Sequence, residues 1–264
     1  MTNAIADRFN VSVTGEGTKQ IIFVHGFASN KHTWDWVVPH FIADYQVMTF
    51  DFIGSGQSDY TYYSQDKYRV LDGYSDDLIA LCEAFDWREV ICVGHSVGGL
   101  ISLLASIKRP DLFKKILMIG ASVHYMKDET YDGGFTRQDI DQILEMMEMN
   151  YSGWASFLAP VALPESVDAK KTRYVEDNFL KSDPEITYNF LKVTLLMDYR
   201  SLLPAVTVPT VILQCSDDSF VPLAVAEFMH NKINDSVLHV LTAKGHYPHV
   251  SHPDETIAVI KTYI

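Results

Sequence analysis

A chain of 264 residues, 47% hydrophobic and 21% charged, carries enough apolar side chain for a packed core and too little polar excess for disorder. With 34 acidic against 21 basic residues, the formal net charge of −13 argues against binding nucleic acid or an anionic membrane, since both need a basic face. The three cysteines (Cys82, Cys92 and Cys215) sit in apolar runs without metal-ligand or C-x-x-C spacing, and read as buried thiols of a reducing compartment.

Residues 1–10 contain no apolar h-region, so no signal peptide is visible and a cytoplasmic location is expected. Residues 9–13 alternate and are followed by Gly15 and Gly17, which predicts an edge strand and a turn. Residues 20–24 form an apolar run that predicts a buried strand ending in His25-Gly26-Phe27. A strand end of this kind leaves a loop whose backbone N–H groups can face a site. Residues 33–43 place Trp34, Val37, Val38 and Phe41 at helical spacing, with Pro39 the objection to one straight helix.

Residues 45–52 predict another strand, running into the glycine-containing loop Asp51-Phe52-Ile53-Gly54-Ser55-Gly56-Gln57-Ser58. The full dinucleotide-binding pattern is absent there. Residues 74–85 predict an amphipathic helix with Leu78, Leu81, Cys82 and Phe85 on one face. Next come an apolar run from Val90, the pentapeptide Gly94-His95-Ser96-Val97-Gly98, and an apolar helix over 100–107 stopped by Arg109-Pro110. The stretch 90–107 is long and apolar enough to suggest a membrane span, but its glycine-rich turn and His95 divide it into strand and helix. Residues 116–120 predict the next strand. Alternation of strand and helix implies parallel pairing with helices on both faces of the sheet.

Residues 122–196 break this rhythm. They are rich in aromatic residues and methionine, and their periods are helical near 136–149, 152–158, 164–180 and 183–196. Four short helices inserted between two strands of a parallel sheet predict a cap over the strand ends, spanning 122–197 between core segments 1–121 and 198–264. The rhythm returns with a strand at 210–215, the loop Ser216-Asp217-Asp218-Ser219-Phe220-Val221-Pro222, a helix at 223–231, a strand at 237–241, the loop Lys244-Gly245-His246-Tyr247-Pro248-His249, and a last helix at 254–264.

Ser96, the Asp217/Asp218 pair and His246 thus fall at the ends of predicted core strands. G-x-S-x-G between a strand and a helix describes a turn so sharp that the serine hydroxyl is exposed at the top of the sheet, although the pentapeptide alone also fits a capping serine in a glycine-rich turn. A serine hydroxyl needs a base within hydrogen-bond reach, and an imidazole base needs a carboxylate to fix its tautomer. The order Ser, acid, His is that of the α/β-hydrolases. The backbone N–H groups of Phe27 and Val97 are the expected donors of an oxyanion hole. His246, His249 and His252 are three residues apart, but Pro248 breaks the helical spacing a metal site would use.

The chain resembles the α/β-hydrolase family along nearly its whole length, through His25-Gly26-Phe27, the 51–58 loop, Gly94-His95-Ser96-Val97-Gly98-Gly99, Asp218 with Pro222, and Gly245-His246. Leu71-Asp72-Gly73-Tyr74, Tyr131-Asp132-Gly133-Gly134-Phe135, Asn150-Tyr151-Ser152-Gly153-Trp154-Ala155 and residues 245–253 resemble more narrowly the RsbQ group, which includes the plant karrikin and strigolactone receptors. The resemblance implies an α/β-hydrolase fold with a four-helix cap and no cofactor. The family's aspartate lies four residues before a proline, which selects Asp218. Ser96 is then the nucleophile and His246 the base. An apolar pocket lined by Phe27, Tyr125, Phe135, Phe157, Phe190, Leu195 and Phe220 is expected to take a small hydrophobic ester or butenolide-like lactone. The same resemblance implies a second reading, a signalling protein that holds or slowly hydrolyses its ligand and acts on a regulatory protein partner. Oligomeric state is not legible.

Overall fold

The central apolar runs become strands because they can bury both of their faces. The computed structural model describes residues 2–164 and 166–264. A short helix, α1 (Thr2–Arg8), precedes the edge strand β1 (Ser12–Thr14), and β2 (Lys19–Val24) and β3 (Tyr45–Thr49) follow. The helix α2 (Asp72–Ala84) leads to β4 (Val90–His95), then α3 (Val97–Lys108) and β5 (Phe113–Ile119). Four helices come next: α4 (Arg137–Met149), α5 (Tyr151–Ala162), α6 (Ala169–Lys181) and α7 (Pro184–Leu196). The chain closes with β6 (Thr210–Asp217), α8 (Leu223–Lys232), β7 (Ser236–Lys244), the single turn α9 (Pro248–Ser251) and α10 (Pro253–Tyr263).

The strands form one sheet in the order β1-β3-β2-β4-β5-β6-β7, parallel except for β1 against β3. Successive side chains of a strand leave on opposite faces, and the two cores divide accordingly. Ile22, Cys92, Ile116 and Met118 join the core beneath α2, α3 and α8, whereas Ile21, Phe23, Ile91, Val93, Leu117 and Ile119 join a second core with Trp34, Phe41 and Ile260. Burial on both faces explains why these strands read as continuous apolar runs without alternation. The carboxyl ends of β4, β6 and β7 lie together, and α4–α7 are inserted between β5 and β6.

Three expectations change. Residues 33–43 do not form a helix; two 3-10 turns, Lys31–Trp34 and Val38–His40, stand there, because Pro39 supplies no N–H to an α-helical ladder. Residues 2–8 are helical, and Phe9, expected at the start of the edge strand, is instead buried in the core, its carbonyl accepting from Asp51 N–H at 2.8 Å. The helix expected over 164–180 starts at Ala169, where the Asp168 carboxylate accepts from Lys170 N–H at 2.9 Å as an N-cap. Residue 165 of that expectation lies outside the described residues. Other cap helices start on comparable signals. Thr136 and Asp139 form a capping box on α4, and Asn150 and Asp183 accept from Gly153 and Ile186 N–H at 3.0 and 2.9 Å. No helix among the described residues is long and apolar enough to cross a membrane.

Candidate active site

Strand β4 ends at His95 and helix α3 begins at Val97, so one residue makes the turn. Ser96 takes φ 52° and ψ −126°, a conformation that costs a non-glycine residue about 1–3 kcal/mol and persists only where its surroundings impose it. Two hydrogen bonds do so: Ser96 N–H donates to Ile119 O at 2.8 Å, and Ser96 O accepts from Gly99 N–H at 2.9 Å. The flanking glycines permit the approach. A Cβ on Gly98 would stand 2.3 Å from His25 O, and one on Gly94 would stand 2.6 Å from Gly98 O.

The turn aims the Ser96 hydroxyl at His246, which stands just past β7. Ser96 Oγ lies 2.9 Å from His246 Nε2, and His246 Nδ1 lies 3.0 Å from each oxygen of Asp218. Asp218 stands just past β6, and its side chain is wholly buried. A buried carboxylate needs its lone pairs filled. Besides His246, Oδ1 accepts from Phe220 and Val221 N–H at 2.9 and 3.1 Å, and Oδ2 accepts from the Gln214 amide at 3.2 Å. With Asp218 ionised, His246 carries its proton on Nδ1 and turns the Nε2 lone pair to the Ser96 hydroxyl. Asp217 points away: it is 73% exposed and lies 3.6 Å from Lys244.

The Phe27 and Val97 N–H groups find no acceptor among the described residues. Val97 is the first residue of α3, where an N–H has no intrahelical partner and the helix end is positive. The peptide between Gly26 and Phe27 is held by His25. Its Nδ1–H donates to Gly26 O at 2.8 Å, and its Nε2 accepts from Phe52 N–H at 3.0 Å. The bond accepted by Nε2 requires the neutral ring, and burial lowers the His25 pKa accordingly. Since a peptide's N–H points opposite to its C=O, His25 sets the direction of the Phe27 N–H. The motif alone marked the loop, while this role of His25 was not read from it.

Two more histidines lie under His246. His95 donates from Nε2 to His246 O at 2.8 Å, and His249 Nε2 lies 2.9 Å from Thr33 Oγ1. Burial, joined by the nearby His249 and His246, holds the His95 pKa well below the usual imidazole value, and burial pushes that of His249 down to about 3. His95 is thus a neutral prop for the His246 backbone. His252 is held separately, its Nδ1 2.9 Å from Ser251 Oγ. Among the described residues, no group of three His, Cys, Asp or Glu side chains is placed to hold a metal ion.

Ser96 and His246 open onto an apolar cavity between the sheet and the cap. Phe27, Tyr125, Phe135, Leu195 and Phe220 line it as expected from the sequence, together with Ile143, Leu158, Phe179, Leu191, Thr194 and Tyr247. Phe157 and Phe190 do not. Phe157 is 57% exposed, because Trp154, Leu158 and Ala162 take the inner face of α5 and residue 157 is rotated about 100° from residue 158. Phe190 is buried one layer behind the wall, its ring centroid 5.8 Å from that of Phe27 and 4.5 Å from that of Tyr74. The i, i+4, i+8 spacing of Trp154, Leu158 and Ala162 was the signal that could have separated Leu158 from Phe157.

A hydroxyl backed by an oriented imidazole, two N–H groups without an internal acceptor and an apolar chamber are the parts of acyl-transfer chemistry. The model of the "Alpha/beta hydrolase family" matches residues 21–259. The chain is 36% identical over 261 residues to "Karrikin insensitive 2 receptor CA" of Petunia hybrida, covering 98% of this chain and 97% of that protein. It is 33% identical over 250 residues to "Strigolactone esterase D14" of Arabidopsis thaliana, covering 94% and 93%. Among solved structures it is similar to a hydrolase from Oleispira antarctica, with a TM-score of 0.97 and 32% identity over 99% of this chain and 96% of that one.

Proposed function

The chain belongs to the alpha/beta hydrolase family, and from that premise we propose that it is a serine hydrolase of small hydrophobic esters or lactones. Ser96 Oγ attacks the substrate carbonyl carbon while His246 Nε2 takes the hydroxyl proton, and Asp218 steadies the resulting imidazolium. The oxyanion sits between the Phe27 and Val97 N–H groups. As the C–O bond to the leaving group breaks, His246 returns the proton to the departing oxygen. The acyl-enzyme is then cleared by a water that His246 deprotonates. Residues 122–197 serve as the lid that keeps bulk water from this chamber.

The observation that carries this reading is the unbroken series Ser96–His246–Asp218 at 2.9 and 3.0 Å, opening onto an apolar cavity. No cofactor enters the scheme, because base, acid and charge stabilisation all come from the chain. Charged, sugar-like and peptide substrates are disfavoured by a wall of hydrocarbon side chains. The test is release of p-nitrophenol from short-chain p-nitrophenyl esters, with the mass of the intact protein read in parallel. Ser96→Ala should lose both turnover and acyl adduct, by roughly 10⁴-fold or more in rate. Unchanged hydrolysis in that variant would remove Ser96 from the mechanism.

A second reading is favoured by the relatives named as receptors, which match over nearly the full chain. Here the same residues bind or slowly consume a small hydrophobic ligand, and the protein acts on a regulatory protein partner. A single slow turnover, with the acyl adduct persisting on Ser96 and a ligand-dependent rise in melting temperature, distinguishes this role from steady catalysis.

A further inference from the structure

One residue of the cavity wall carries a polar atom out of keeping with its surroundings. Thr194 lies on α7 between Leu191 and Leu195 and lines, from the cap, the same cavity that Ser96 lines from the core. The residue is 3% exposed, and its Oγ1 is buried with no hydrogen-bond partner among the described residues. A threonine inside a helix has a ready partner in the carbonyl four residues back. Thr187, two turns earlier on the same helix, uses it, donating to Asp183 O at 2.6 Å. Thr194 does not. A valine would fill the same volume, and leaving a buried hydroxyl unpaired costs about tenfold or more in the folding equilibrium. Apart from Ser96 and His246, the other side chains on this wall are hydrocarbon or phenol, and none of the lining side chains is an amide or carboxylate.

We propose that Thr194 is a specificity-determining residue that donates its hydroxyl to a second oxygen of the substrate, a keto or ether oxygen carried by an otherwise hydrocarbon ester or lactone. An acceptor is what the Thr194 O–H lacks, since it has no hydrogen-bond partner among the described residues, and a keto or ether oxygen accepts without adding a further donor to the wall. The Tyr125 phenol, beside Ser96, and the Tyr247 phenol line the same cavity and keep its donors concentrated near the reacting end. The substrate then has two polar points: the reacting carbonyl at the Phe27 and Val97 N–H groups, and the second oxygen at Thr194. This inference rests on Ser96 being the residue that is acylated.

The test compares p-nitrophenyl hexanoate with its 4-oxo and 5-oxo counterparts. Dissociation constants are measured in Ser96→Ala, where binding is read without turnover, and in the Ser96→Ala/Thr194→Val and Ser96→Ala/Thr194→Ser double variants. One keto ester should bind about five- to tenfold more tightly than the plain ester in Ser96→Ala. That preference should vanish with valine and persist with serine. Thr194→Val alone should melt no lower than the wild type, since no internal hydrogen bond is lost. Equal binding of all three esters in Ser96→Ala, an undiminished preference with valine, or a lower melting temperature for Thr194→Val would each overturn the assignment. Acylation of wild-type Ser96 by the plain ester, followed by intact mass, reports separately on the reading beneath it.

Discussion

Two neutral histidines buried under the site should make the fold acid-sensitive well above the carboxylate range. His95 and His249 are both buried, and both have pKa values held below the ordinary imidazole value of 6.5, that of His249 at about 3. In the unfolded chain each titrates near 6.5. Between that value and the lowered folded one, the unfolded state binds more protons, so stability is full above about pH 6.5 and falls as pH drops. Each histidine contributes a slope of about 1.4 kcal/mol per pH unit, so the pair costs about 4 kcal/mol by about pH 5. For a chain of this size that is a fall of about 10 °C in melting temperature. His25, also lowered by burial but beside Asp51, adds in the same direction. Asp77, whose carboxyl is raised by burial, works the other way toward its own lower range. The measurement is thermal unfolding from about pH 7.5 to 5, with and without His249→Gln. Glutamine places an amide nitrogen near the position of Nε2 and can keep the contact with Thr33 Oγ1, now at 2.9 Å. The variant should lose about half of the slope. A flat profile in the wild type, or an unchanged slope in the variant, would refute the claim that these rings are buried neutral.

Other outcomes follow from the same geometry. Asp218→Asn keeps the acceptor for Phe220 and Val221 N–H but no longer stabilises the imidazolium or secures the Nδ1–H tautomer, and should lower kcat for ester hydrolysis by about 10⁴-fold with an unchanged circular dichroism spectrum. Gly98→Ala sets a Cβ 2.3 Å from His25 O, against backbone that cannot yield without moving the Phe27 loop, and should cost about 3 kcal/mol or more in urea unfolding. Phe157→Ser should leave kcat/KM for hydrophobic esters within about twofold, whereas Leu158→Ala, in the cavity wall, should lower it by about tenfold for longer acyl chains, an ordering checked by a chain-length series.

The sheet and the elbow were legible in the sequence because their signals are local. A strand buried on both faces is a short apolar run, as at residues 90–93. A one-residue strand-to-helix turn requires glycine where another backbone comes close, as at Gly94 and Gly98. The order of Ser96, the Asp217/Asp218 pair and His246 at the ends of β4, β6 and β7 was legible for the same reason, since parallel strands place their carboxyl ends on one edge. The hydrophobic period was misleading over 33–43, where one proline decides between a helix and two 3-10 turns.

What only the tertiary structure decided concerns direction. Asp217 and Asp218 are chemically alike and adjacent, and in the sequence only the family resemblance picks out Asp218; the structure supplies the physical reason, since the end of β6 turns one toward Lys244 and buries the other against His246. Phe157 and Leu158 are both hydrophobic, and a single helical step puts one in solvent and the other in the cavity wall. His25, His95 and His246 are the same residue type, yet His25 orients a peptide, His95 supports a carbonyl and His246 meets the serine. Residue type records what a side chain can do, while its partner is set by contacts between distant segments, 151 positions apart for His95 and His246 and 216 for Thr33 and His249, and no local pattern encodes them.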